Sequence, residues 1–146
     1  MDKSRFLRIW EISALVSLCV CLCAAVWAQG RSSAISADLV RLHVLAVSDY
    51  AYEQALKLRV RDAVLEYITP RLDGSESPDD ARAVLSRELD GISRAAASAA
   101  EGRKVTVSLG TELYPSREYE GFTLPAGRYE SLRVVLGEGE GHNWWC

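Results

Sequence analysis

The hydrophobic pattern divides the chain into one continuous apolar run and a series of shorter segments with two different periods. Ile12 to Ala28 (ISALVSLCVCLCAAVWA) has only Ser13 and Ser17 as polar residues and follows a stretch carrying Lys3, Arg5 and Arg8. A basic start, an apolar middle and Val26-Trp27-Ala28 as a small-x-small site outline an export signal cut before Gln29. The run also stands at the short end of what crosses about 30 Å of hydrocarbon, so an uncleaved N-terminal anchor is the alternative. On either reading the rest of the chain crosses a membrane. Residues 1-28 are thus a signal peptide or membrane anchor, and 29-38 (QGRSSAISAD) a short polar linker.

Leu39 to Val47 (LVRLHVLAV) is β-branched-rich and almost continuously apolar, the pattern of a strand central in a sheet. Ser48 and Asp49 offer N-cap oxygens for a helix to about Thr69. Its stripe is Leu56, Val60, Ala63, Val64, Tyr67 and Ile68, with Lys57, Arg59, Arg61, Asp62 and Glu66 mostly off it, and Pro70 stops it. Ser77-Pro78-Asp79-Asp80 opens a second helix, with a capping hydroxyl, a proline at the first position and two carboxylates at the positive end of the dipole. That helix runs to about Ala100 on a stripe of Ala81, Val84, Leu85, Leu89, Ile92, Ala95, Ala96 and Ala99, and Gly102 ends it. Its alanine-rich end implies close packing on a sheet.

Lys104 to Leu109 (KVTVSL) alternates as a half-buried strand, and Leu113 to Phe122 is a short irregular edge strand broken by Pro115. Pro125 and Gly127 make a turn, and Glu130 to Gly137 is the last strand. The expected fold is α+β, with two helices packed on one face of a small, mostly antiparallel sheet over residues 39-137. Residues 138-146 form a glycine-rich tail ending in Trp-Trp-Cys.

Composition adds limits. With 17 Lys+Arg against 20 Asp+Glu and a net charge of -3, the chain has no basic field for phosphates, so no nucleic-acid partner is expected. Of its 4 cysteines, Cys19, Cys21 and Cys23 lie in the apolar run, each behind a bulky residue unsuited to lipoprotein processing. Cys146 is left as an intermolecular bond, a reactive thiol or half of a pair whose partner lies downstream. The two histidines, His43 and His142, with Cys146 allow an exported cell-envelope Cys-His hydrolase as an alternative function, but on a glycine-rich terminus that lacks a scaffold. No diagnostic metal spacing occurs, and neither a metal nor a cofactor is expected. Gly137-x-Gly139-x-Gly141 is not a phosphate loop, because no helix follows it. Arg61 and Asp62 read as a surface ion pair. Trp144 and Trp145 are the strongest binding candidates, since tryptophan dominates hot spots; docking on their own sheet is the competing reading.

Several stretches resemble the stage II sporulation protein R family of endospore-forming bacteria. They are Arg41-Leu42-His43-Val44-Leu45-Ala46-Val47-Ser48-Asp49, Gln54 to Leu65 (with Lys57, Arg61 and Asp62), and Leu124 to Gly137 (with Pro125, Gly127 and Arg133). The run Gly141-His142-Asn143-Trp144-Trp145-Cys146 completes the set in the same order. The chain departs from the pattern at Val47, where members carry Asn, and in stopping at Cys146, where the pattern continues through an apolar tail bearing a second cysteine. The resemblance therefore implies either a chain that continues past Cys146 to a disulfide partner, which makes 146 residues a lower bound, or a variant that lacks this disulfide. It further implies a non-enzymatic signal, exported from the forespore to its membrane or to the space facing the mother cell. There it would activate a membrane-embedded aspartic protease that processes the precursor of sigma factor E. The expected contact surface is Trp144, Trp145, Asn143 and His142 with Gly137, Gly139 and Gly141; Arg41, His43, Ser48, Asp49, Lys57, Arg61, Asp62, Pro125, Gly127 and Arg133 support or neighbour it.

Overall fold

The computed structural model describes residues 3–145, with the side chains of residues 4–30 and 37–142. Cys146, and with it every reading of its thiol, lies outside the described residues. The elements in chain order are α1 (Lys3–Ala37), β1 (Val40–Leu45), α2 (Ala51–Leu72), α3 (Pro78–Ala99), β2 (Val105–Tyr114), β3 (Arg117–Tyr119), β4 (Phe122–Leu124), β5 (Gly127–Leu136) and β6 (Asn143–Trp145). The fold is α+β.

Helix α1 does not end at Ala28 but continues through the residues read as a linker, where 29–37 holds no proline to stop it. Its segment Ser4–Gly30 reaches a mean hydropathy of 2.2 over its most apolar 18 residues, is wholly exposed, and is long and apolar enough to cross a membrane. Two residues, Asp38 and Leu39, then lead into β1.

The main sheet has the order β2-β5-β1-β6. Its central pair, β5 and β1, is parallel, and the two flanking pairs are antiparallel. Leu42 and Val44 of β1 and Leu132, Val134 and Leu136 of β5 meet Val60, Val64 and Ile68 of α2 and Leu85, Ile92, Ala96 and Ala100 of α3. Burying each of the larger of these side chains contributes about 1.5–3 kcal/mol. Ala96 and Ala100 let the end of α3 approach the sheet closely, as the small side chains of that stripe predict. At Ser77 the predicted cap is present, its hydroxyl accepting from the Asp80 amide at 3.1 Å.

Four boundaries differ from the sequence reading. Pro70 lies inside α2, which runs on to Leu72. So near the terminus a proline removes only one helical donor, and Arg71 donates to the Tyr67 carbonyl at 2.6 Å in the same turn. The α2 N-cap is Tyr50 without a side-chain cap, because Asp49 is engaged elsewhere. Strand β2 runs through Gly110 to Tyr114, paired throughout with β5, which begins already at Gly127. Arg117 to Leu124 is consequently a separate β3–β4 hairpin, not an edge strand, and β6, not β5, is the last strand.

The topology gives the domain two distinct ends. At one, α1 enters, β1 and β5 begin, β2 ends and the hairpin departs. At the other lie the β1–α2 turn, the α3–β2 turn and the arm from β5 to β6.

Candidate functional site

Between β5 and β6 the arm Gly137–His142 crosses the far end of the sheet along a fixed path. Gly137 and Gly139 have φ of 59° and 70°, the left-handed region that glycine tolerates without penalty. A Cβ on Gly139 would stand 2.7 Å from a Val135 methyl, and one on Gly141 would stand 2.5 Å from the Ser48 carbonyl oxygen. The Gly141 amide donates to the Ala46 carbonyl at 3.0 Å. The alternating glycines therefore allow close approach, while Glu138 and Glu140 between them and His142 after them are exposed.

Two side chains clasp the end of the arm. Asp49 Oδ1 accepts from the His142 backbone amide and pairs with His142 Nδ1, each at 2.5 Å. Lys57, only 5% exposed, donates to the His142 carbonyl at 2.9 Å and to Gln54 Oε1 at 2.6 Å. Gln54 in turn donates to the Ser48 carbonyl at 2.8 Å. Ser48, Asp49 and Lys57, singled out in the sequence, thus meet the glycines and His142 in one place. Burial lowers the Lys57 pKa. With the arm held, Asn143, Trp144 and Trp145 lie beside Leu45, Val44 and His43 of β1 in antiparallel register. The placement of the two indole side chains lies outside the described residues.

A second constellation occupies the face of the sheet turned away from the helices. Glu112 Oε2 accepts from His43 Nδ1 at 2.8 Å and from Ser131 Oγ at 3.0 Å, and lies 3.1 Å from the Tyr114 hydroxyl. Arg133 Nε flanks the other carboxylate oxygen at 3.5 Å. Arg41, 2% exposed, lies 4.1 Å over the Tyr114 ring and 5.1 Å from the Tyr129 ring. It donates to the Tyr119 hydroxyl at 2.8 Å, which ties the hairpin to the sheet. Serine, histidine and a carboxylate do meet here, but the carboxylate sits between the other two, whereas nucleophilic catalysis needs the imidazole next to the hydroxyl. Ser131 is also 1% exposed. The arrangement is that of a buried polar hub. Burial pushes the Glu112 carboxyl up, but the hydrogen bonds from His43, Ser131 and Tyr114 outweigh it and hold the pKa below the usual range. Burial pushes Tyr114 up to about 12.

The remaining sequence candidates take structural positions. Arg61 and Asp62 bridge each other at 2.5 Å on α2. The Pro125 carbonyl accepts from the Tyr129 hydroxyl at 2.6 Å, closing the turn into β5, and Gly127 pairs with Tyr114. Glu112, Tyr114, Tyr119, Tyr129 and Ser131 were not anticipated as a group. The available signal was the alternation of Thr106, Ser108 and Glu112, which extends across Gly110.

Acid should loosen both constellations. The His142 side chain, and then its amide, lower the Asp49 pKa from the ordinary 3.8. A carboxyl depressed on folding stabilises the native state above its unfolded pKa and loses that contribution as pH falls through the folded value. Asp49 therefore holds the arm fully above about pH 4 and releases it on further acidification, and Glu112 follows the same sign. Protection of the amides of residues 141–145 against hydrogen exchange, taken relative to their intrinsic rates at each pH, should fall below that pH. In Asp49→Asn that protection should be low at neutral pH and change little on acidification.

The profile of the family described as Stage II sporulation protein R (spore_II_R) matches residues 36–146. A curated relative, Stage II sporulation protein R of Bacillus subtilis (strain 168), is 33% identical over 122 residues, covering 81% of this chain and 54% of that protein. The chain spans about half the length of that relative. No solved structure matches the chain.

Proposed function

Because the chain belongs to the stage II sporulation protein R family, we propose that it is an exported sporulation signal that acts by contact. Its target is the membrane-embedded aspartic protease that the family resemblance implies, and the outcome is processing of the sigma factor E precursor in the mother cell. Export by way of α1 delivers the domain to the space between forespore and mother cell. The observation that carries the reading is the clasped arm, in which Lys57 and Asp49 hold His142 and lay the tail beside β1 as an ordered strand. A contact signal needs a defined surface more than a reactive group, and preorganising a tail lowers the ordering cost of binding. The signal itself is non-catalytic in this proposal.

The test is co-expression of the chain with the protease and its precursor substrate. Processing should require the chain and persist when Cys146 is changed to serine in reducing conditions, and the purified chain alone should turn over no peptide or wall-derived substrate. Turnover by the purified chain, abolished by Cys146→Ser, would replace this reading with that of a Cys-His hydrolase.

A further inference from the structure

We propose that, while α1 remains attached, the end of the sheet where α1 enters rests on the bilayer surface, with Leu113 and Phe122 inserted among the lipid headgroups. Leu113 is 74% exposed and Phe122 58% exposed. Isolated apolar residues on a surface are ordinary; what sets these two apart is their position.

The row formed by Val40, Glu130 and Thr111 marks the first residue of β1, and Leu113 lies two residues beyond it, paired with Arg128. At about 3.3 Å per residue, Leu113 projects roughly 7 Å past that row, at the end where α1 arrives. Ala37, the last residue of α1, lines one cleft together with Thr111, Arg128 and Glu130, and α1 packs on β5. The helix exit therefore adjoins the rim that carries Leu113. From the end of the apolar span at Gly30 to Ala37, the helix rises about 10 Å. The headgroup layer is roughly 5–7 Å thick on each side, so the rim stands at its outer boundary, within side-chain reach.

Phe122 is held in place from behind. It stacks on Tyr119 with centroids 5.2 Å apart and planes at 15°, and the Tyr119 hydroxyl is fixed by Arg41. The hairpin tip, where Tyr119 pairs with Phe122, is thus tethered to Arg41, the second residue of β1, which keeps the exposed ring near the end where α1 enters. Arg128, exposed next to Leu113, is placed to meet lipid phosphate. The basic residues Lys3, Arg5 and Arg8 precede the apolar span and favour the opposite side of the membrane for the N-terminus, which leaves the domain on the side this contact needs.

The inference does not depend on protease activation. It is tested with the full chain in vesicles of phosphatidylcholine and phosphatidylglycerol doped with a phospholipid bearing a photoactivatable group near its headgroup. After illumination, lipid adducts are expected on α1 and on the tryptic peptides Val105–Arg117 and Glu118–Arg128. In the Leu113→Ser, Phe122→Ser double variant, both exposed positions that the core does not use, adducts on those two peptides should be lost and those on α1 retained. Leu113→Phe should keep them. Adducts confined to α1, equal yields from the double variant, or no adducts on α1 would each overturn the proposal.

Discussion

Replacing Glu112 by leucine is expected to destabilise the domain by about 3 kcal/mol and lower its melting temperature by roughly 15 °C. The carboxylate is the shared acceptor for His43 and Ser131, both buried, and neighbours the buried Tyr114 hydroxyl. A leucine of similar size fills the space but accepts nothing, so His43 and Ser131, already withdrawn from water, lose this acceptor, although the Ser131 and Tyr114 hydroxyls keep each other. Each such loss costs about 1–3 kcal/mol. The effect should spread to the hairpin, because Tyr114 is the platform under Arg41, and Arg41 is bonded to Tyr119. Glu112→Gln, which keeps one acceptor oxygen, should lose clearly less. Glu118→Ala, exposed on the hairpin, should stay within about 0.5 kcal/mol of the parent. Thermal unfolding of the full chain in detergent, followed by near-ultraviolet circular dichroism, measures all three. A loss below about 1 kcal/mol for Glu112→Leu would mean that the hub does not hold the face together.

The hub shows where the sequence stopped being legible. Local signals were sufficient wherever one residue dictates one outcome: Ser77-Pro78 starts α3, and the alternation after Lys104 makes a strand. They failed where tertiary pairing overrides a local breaker. Gly110 reads as a stop, yet β5 supplies a partner on each side of it and carries β2 on to Tyr114. That shift moved Glu112 from an irregular loop into a strand, and only there does it meet His43, which is 69 residues away in sequence. Asp49 was misread for the same reason. Its position suits a helix cap, but its carboxylate is taken by His142, 93 residues on, and no local pattern encodes that competition. Serine and aspartate side chains choose between nearby backbone donors, and here a distant donor prevails. By contrast the alternating glycines of the arm stand out in the sequence itself, although there they read equally as flexible or as conformationally demanding. The residues they pack against, Val135 and Ser48, do not.

Alanine at both Trp144 and Trp145 is expected to abolish precursor processing in co-expression while leaving the domain folded. Alanine keeps every backbone group that β6 offers to β1, so the register His43–Trp145, Val44–Trp144 and Leu45–Asn143 can persist. What is removed is on the order of 200 Å² of surface per residue, on β6, which stands at one edge of the sheet order β2-β5-β1-β6. Two hot-spot residues at about 2 kcal/mol each weaken a complex by roughly 10³-fold. Gly141→Val separates the role of the indoles from that of their placement. A side chain there meets the Ser48 carbonyl, which cannot yield without moving the β1–α2 turn, so the arm should lift and break the Gly141–Ala46 and Lys57–His142 bonds. If the tail acts in its docked form, Gly141→Val should reduce processing nearly as far as the double alanine, with both tryptophans intact. Gly110→Ala, where nothing lies within 4 Å of an added Cβ, should process normally. Wild-type processing by the double alanine variant would remove the tail from the contact surface. Loss in the double variant with none in Gly141→Val would instead assign recognition to the indoles on an undocked arm.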